Sequence, residues 1–259
     1  MIIFMNTNST LELIHTHGSI RHYRPDPVPV EMVETIIAAA QRASTSSNMQ
    51  TYSVVAVTET NKRARLAELC GNQKHIVEAP LFLAWCANLA RLDRVCELRG
   101  YIQVAGFFEN FLVATIDAVI AAQNAALAAQ SLGLGICYIG SIRNRPAEMI
   151  ELLSLPRLVF AVTGMTVGWP AHPPRVRPRL PMQAVLHWEN YNPNQDEALL
   201  AYDQEMASTG IYDNRQIAAP GKPDQMEAYG WLEHSARRAS QSARTELRAI
   251  IELQGFGLK

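Results

Sequence analysis

Apolar residues recur at helical spacing through Val30-Glu31-Met32-Val33-Glu34-Thr35-Ile36-Ile37-Ala38-Ala39-Ala40, and Pro29 stands where a first helical turn tolerates proline. A helix is predicted there, with a shorter one before it from Leu11 to His17 and the polar run Ser44 to Asn48 as its end. The β-branched density of Tyr52 to Thr58 predicts a buried strand, Asn61 to Cys70 a helix, and Pro80 to Ala87 a second strand. From Phe107 to Leu132 the chain is Ala-rich and apolar on most of a helical circumference, which predicts a long helix buried nearly all round. A strand at Ile136 to Ile139, a helix at Pro146 to Leu153 and a strand at Leu158 to Val167 complete an alternation that leaves α/β and α+β both open. Beyond Pro181 the composition changes. Trp188 to Pro193 reads as loop, Asp196 to Met206 as helix, Gly210 to Pro223 as turns, and about Met226 to Leu253 as a last helix.

A length of 259 residues with 48% hydrophobic content can bury a sizeable core, as one domain or as a core with an extension. The formal charge of −1 and the lack of long like-charge runs argue against a nucleic-acid footprint, so small molecules are the expected partners. Cys70, Cys86, Cys96 and Cys137 are far apart, with no C-x-x-C and no zinc spacing, so reduced thiols and no metal are expected. The apolar start Met1-Ile2-Ile3-Phe4-Met5 lacks a basic flank and a cleavage site, which predicts no secretory signal and a cytoplasmic location. Asp117, Gln123 and Asn124 interrupt the most apolar region before it reaches the roughly 20 residues of a membrane span, so no membrane is expected.

Chemistry concentrates elsewhere. In Arg175-Val176-Arg177-Pro178-Arg179, which follows Gly168-Trp169-Pro170, Pro178 pushes Arg177 toward extended geometry, so Arg177 and Arg179 are expected on one side. Two guanidinium forks on one side suit a phosphate, and pairing with surface carboxylates is the competing reading. Gly133-Leu134-Gly135 is no dinucleotide fingerprint, because it follows a helix and opens a strand; it reads as a helix C-terminal cap. No H-x-x-x-H pair, Gly-x-Ser-x-Gly elbow or Walker loop is present, which removes most support for hydrolase or phosphotransfer readings.

Five segments remain: His17-Gly18-Ser19-Ile20-Arg21, Ser46-Ser47-Asn48-Met49-Gln50, Gly71-Asn72-Gln73-Lys74-His75, Tyr138-Ile139-Gly140-Ser141, and the arginine tract. In this order and spacing they resemble the flavin-dependent nitroreductase superfamily, specifically its NADPH-preferring, oxygen-insensitive nitroreductase and flavin reductase branch, over roughly residues 11 to 215. The resemblance implies a three-layer α/β/α arrangement of α+β class. Its central sheet is mixed and largely antiparallel, a long central helix lies at a homodimer interface, and FMN is bound there. One domain over 1–259 is expected, with a core at about 8–181 and a C-terminal helical excursion at about 182–259.

The resemblance also distributes roles. His17, Ser19, Arg177 and Arg179 would clamp the FMN phosphate, with Gly18 in the same segment. Arg21 would stabilise charge gained near N1 and O2 of the ring on reduction, and Gln73 would meet the N3–H and O4 edge. Tyr138, Ile139, Gly140 and Ser141 would lie by N5 and O4, while Ser46, Ser47 and Asn48 would reach the partner subunit's flavin. No protein acid or base is obligatory, and Lys74 and His75 are given no role. Relatives often carry glycine where this chain has Ser141, and lysine where it has Arg177. Arg215 matches one of two arginines expected on the NADPH 2′-phosphate, Gly210 stands near the other, and Lys222, Arg237 and Arg238 are alternative cations. The implied reaction is ping-pong: NADPH or NADH donates hydride and nitroaromatics, quinones or free flavin accept electrons. The alternatives are a flavin reductase that supplies reduced FMN to a partner oxygenase, and a non-catalytic flavin-binding or redox-sensing protein.

Overall fold

A computed structural model describes residues 8–259, so the apolar run Met1 to Met5 lies outside the described residues. In chain order the elements are α1 (Ser9–His15), α2 (Val30–Ala40), β1 (Tyr52–Val57), α3 (Thr60–Leu69), α4 (Lys74–Glu78), β2 (Leu81–Asn88), α5 (Ala90–Arg99), α6 (Phe108–Ser131), β3 (Gly135–Ile139), α7 (Pro146–Leu153), β4 (Val159–Gly168), α8 (Asp196–Ser208), β5 (Gln216–Ala219), β6 (Lys222–Ala228), α9 (Trp231–Ala239) and α10 (Leu247–Leu253). They fall into two compact units, one running to Arg175 and taking back Arg244–Lys259, the other Val176–Ala243.

The first unit is built on a four-stranded sheet in the order β1-β2-β4-β3, and all three pairings are antiparallel. Period-two alternation in β2 divides the core. Leu81, Leu83 and Trp85 pack against Ile36 and Ala40 of α2 and the alanines of α6, whereas Phe82, Ala84 and Cys86 pack against Leu66 and Leu69 of α3 and Met149 and Leu153 of α7. This is the expected α/β/α layering in the α+β class. The register slips between Trp85 and Cys86, where Val162 of β4 is the extra residue, and the guanidinium of Arg143 donates to the Val162 carbonyl.

The long helix α6 departs from its expected burial. Ala114, Ala118, Ala121, Ala122, Ala125 and Ala129 are fully buried, which lets the backbone lie close to the sheet, but Phe108, Leu112, Ile116, Val119 and Ile120 are 39–50% exposed. These five form an outward apolar stripe at i, i+4, i+8, i+11 and i+12. By length and composition α6 could cross a membrane even with Asp117, Gln123 and Asn124 in its run; its alanine face is packed on the sheet instead. It ends in a Schellman motif, with Gly133 at φ 81, its N–H on Gln130 O at 3.0 Å, and the Leu134 N–H on Ala129 O at 3.0 Å. Gly133 is therefore the cap the sequence indicated.

The second unit holds α8, the β5–β6 hairpin and α9, and here the expected last helix fails. Met226 lies in β6, and helix begins only after Gly230 and stops at Ser240. Serines at 240 and 242 compete for backbone partners, and Arg244 takes a left-handed φ of 55, so 226–253 is a strand and two short helices. The β5 and β6 strands went unpredicted because the turn formers Pro220 and Gly221 made the segment look like loop, when they close a hairpin with Gly221 at φ 72. Helices α4 and α5 are also additions to the expected list.

Candidate functional site

The 17–21 segment is hung on the edge of the sheet. Ile20 N–H donates to Ile136 O at 2.9 Å, Ile20 and Tyr23 are buried, and Tyr23 bridges to Pro170. The Tyr23 hydroxyl donates to Ile20 O at 2.8 Å and lies 2.8 Å from Thr166 Oγ1, while burial raises its pKa. Gly18 is required sterically, because a Cβ there would stand 2.6 Å from Arg175 O. His17 Nδ1 is 3.2 Å from Gln130 Oε1, and Ser19 lies close enough to the Cys137 thiol to act on its pKa. Burial raises the Cys137 pKa, opposed by the Arg21 charge and by Ser19. Arg21 is exposed, makes no ion pair among the described residues, and is near enough to act electrostatically on His75 as well as on Cys137.

The 46–50 loop is held differently. Ser47, Asn48 and Gln50 have φ of 49, 57 and 54, three left-handed non-glycine residues within four positions. One buried carboxylate keeps the segment in place: Asp117 of α6 accepts from Ser46 N–H at 3.0 Å, Thr51 N–H at 3.1 Å and the Thr51 hydroxyl at 2.7 Å. Asp117 was read from sequence only as an interruption of an apolar run. The signal was available, since an acid inside an otherwise apolar helix needs donors wherever it is buried.

The third segment turns sharply after α3, where Gly71 and Asn72 have φ of 84 and 57. The side chain of Gln73 therefore folds back: its Nε2 donates to Cys70 O at 2.8 Å and to Ser141 Oγ. Burial pushes the Cys70 thiol up to about 11, partly opposed by the nearby Ser141 side chain. His75, two residues on, is buried with its Nε2 unpartnered; burial chiefly, and then Arg21, lower its pKa. The structure thus brings Arg21, Gln73, His75, Cys137 and Ser141 into one neighbourhood, two of them, His75 and Cys137, without an expected role.

Tyr138 and Gly140 face a groove of ≈ 580 Å³ beside α6, with Phe111, Thr115, Val119 and Phe160. Burial pushes the Tyr138 hydroxyl up to about 12, and that hydroxyl donates to Gln123 Oε1 at 3.3 Å, while the next side chain on the strand, Ile139, is buried on the opposite face with Phe82 and Ile76. A second hollow of ≈ 490 Å³ near Arg157, Arg248 and the C-terminal residues contains none of the expected site residues.

In the second unit Arg177 and Arg179 are exposed and make no ion pair among the described residues; Arg177 acts on Tyr212, whose pKa is raised chiefly by burial. Arg215 is exposed at the start of the hairpin, where Tyr229 N–H donates to Arg215 O at 3.0 Å. Gly210 has φ 71 and lies over the Asp213 carboxylate. Lys222 is exposed at the hairpin turn, and Arg237 is paired with Glu233, which leaves Arg238 as the freer helix cation. Among the described residues no group of three His, Cys, Asp or Glu could hold a metal ion.

This sheet-and-helix core, with its edge-hung arginine segment and folded-back glutamine, is that of a nitroreductase. Residues 14–169 match the model of the nitroreductase family and residues 177–259 that of the family's C-terminal domain, so the chain belongs to the nitroreductase family. It is 38% identical over 249 residues to a Cr(VI) reductase of Pseudomonas sp. (strain G-1), covering 96% of this chain and 99% of that protein. It is 36% identical over 255 residues to an FMN reductase (NADPH) of Bacillus subtilis (strain 168), covering 96% and 98%. Among solved structures, B. megaterium NfrA2 superposes with a TM-score of 0.89 at 38% identity, covering 98% of this chain and 100% of that one.

Proposed function

We propose that the chain is an FMN-dependent NAD(P)H oxidoreductase acting by a ping-pong reaction on nitroaromatics, quinones or free flavin. The observation that carries the reading is a set of cations that suits FMN and has no carboxylate partner among the described residues. In the first unit Arg21 makes no ion pair among the described residues and acts on His75 and Cys137, and in the second unit Arg177 and Arg179 are likewise without carboxylates. FMN, with a phosphate of about two negative charges and a ring edge of carbonyl oxygens and one N–H, is what such a set can bind. The relatives' names, reductases using FMN and NADPH, favour an enzyme over a silent flavin carrier.

When bound, FMN supplies hydride acceptance from the nicotinamide and two-electron donation to the acceptor. The protein's part is binding and electrostatics. His17, Ser19, Arg177 and Arg179 would hold the phosphate, the Arg21 guanidinium would offset negative charge gained by the pyrimidine end of the ring, and the Tyr138–Ser141 turn would support it from the sheet. The outward stripe of α6 supports a homodimer, since five apolar side chains on one helix face need a cover. The strained loop of Ser46, Ser47 and Asn48 would then serve the partner subunit's flavin. Arg215 is the cation assigned to the NADPH 2′-phosphate, with Lys222 as the second choice. A flavin reductase that releases reduced FMN is the alternative, favoured by the FMN reductase relatives. A cytoplasmic location suits an NADPH-consuming reaction.

The Arg177→Ala/Arg179→Ala double variant tests the phosphate assignment. FMN affinity should fall about a hundredfold while riboflavin, which lacks the phosphate, binds as before. Equal losses for both flavins would contradict it.

A further inference from the structure

Gln73 has two amide hydrogens and one amide oxygen, and the structure fixes which of them is free. The Cys70 carbonyl, 2.8 Å from Nε2, can only accept, so the nitrogen must face it. The second amide hydrogen goes to Ser141 Oγ, and Ser141 is near enough to the Cys70 thiol to oppose the upward push of burial on its pKa. The two bonds of the Gln73 amide join the turn after α3 to the turn after β3. Gln73 Oε1 is left without a partner among the described residues, and both donors of the amide are spent.

We propose that Ser141 is a positioning residue that makes Gln73 an acceptor-only contact for the cofactor, selecting the N–H on the edge of the flavin ring. This rests on the FMN reading above and deepens it. A carboxamide free to turn could offer N–H to a ring carbonyl or oxygen to a ring N–H. One whose donors are both engaged can do only the second. The oxidised isoalloxazine carries a single N–H, at N3, among several acceptors, so an acceptor-only Gln73 pairs with N3 and fixes how the ring sits along this edge. Removing the Ser141 hydroxyl frees one amide hydrogen and abolishes the choice, while the Cys70 carbonyl still tethers the other.

The test compares the dissociation constants of FMN and 3-methyl-FMN, which cannot donate from N3, by quenching of flavin fluorescence. The full-length wild type, Ser141→Ala and Ser141→Thr are measured. Wild type should bind 3-methyl-FMN about tenfold or more weakly than FMN. Ser141→Ala should lose most of that ratio, and Ser141→Thr, which keeps the hydroxyl, should retain it. A merely structural role for Ser141 would weaken both ligands alike and leave the ratio unchanged in Ser141→Ala, which would overturn the proposal. Equal binding of the two flavins by wild type would overturn it too, with the FMN reading intact. Failure of wild type to bind FMN at all would overturn both.

Discussion

Two segments of the first unit carry candidate binding groups, and they are held by opposite means. Residues 17–21 are extended, have no positive φ, and are fixed by dispersed interactions: the Ile20 to Ile136 hydrogen bond, the buried Ile20 and Tyr23, and the Tyr23 hydroxyl on Ile20 O and Thr166. Residues 46–50 contain three left-handed residues and rest on few ties: the buried Asp117, which holds Ser46 and the adjoining Thr51, and the exposed Arg91, whose guanidinium donates to Gln50 O at 2.7 Å. A segment that shares a sheet's hydrogen bonding is stabilised by many small terms. A strained loop needs one strong anchor, and that anchor concentrates its vulnerability.

The largest effect is therefore expected at Asp117. Asp117→Ala leaves the buried Thr51 N–H and hydroxyl and the part-buried Ser46 N–H unpaired, which should cost about 3–5 kcal/mol. Denaturant unfolding reads the cost, and proteolysis should show cleavage moving into 46–50. A loss below about 1 kcal/mol would mean the loop has other supports. Tyr23→Phe should cost only about 1–2 kcal/mol, because the extended segment keeps its backbone bond and its buried side chains. If it cost as much as Asp117→Ala, the contrast between dispersed and concentrated support would be wrong.

The smallest effect is a pH dependence at His75. Its folded pKa is lowered by burial, with Arg21 and His22 adding to the shift and Glu78 opposing it. Above about pH 6.5 both folded and unfolded states carry the neutral ring, so stability is full. As pH falls below that value the unfolded chain takes up the proton first, stability declines, and the decline levels off below the folded pKa. The slope of stability against pH in this window should be steeper for wild type than for His75→Gln. Equal slopes would contradict it.

The contrast also explains what could be read from the chain. The layered core was legible because α2, α3, α7 and the strands announce themselves by periodicity, by Pro29 and Pro146 at helix starts, and by Gly133 at a helix end. Candidate residues in contiguous motifs, such as His17 to Arg21 and Tyr138 to Ser141, stand out through their resemblance to a family's motifs rather than through periodicity. Asp117 lies far in sequence from the loop it holds, and its role is visible only when 46–51 and α6 are side by side. The outer stripe of α6 could not be told from its inner one, because both are apolar and differ only in side-chain size. The β5–β6 hairpin was missed because backbone pairing, more than β-forming side chains, defines a strand such as Lys222 to Ala228.

The central claim is that these residues hold an FMN that takes hydride from a nicotinamide cofactor. Anaerobic stopped-flow mixing of the FMN-loaded protein with NADPH and, separately, NADH tests it most directly. Rapid loss of the flavin's visible absorbance in one mixing step, faster with NADPH and with that preference lost in Arg215→Ala, is the predicted result. A protein that stays colourless after incubation with FMN, or a bound flavin that neither cofactor reduces, would contradict the account.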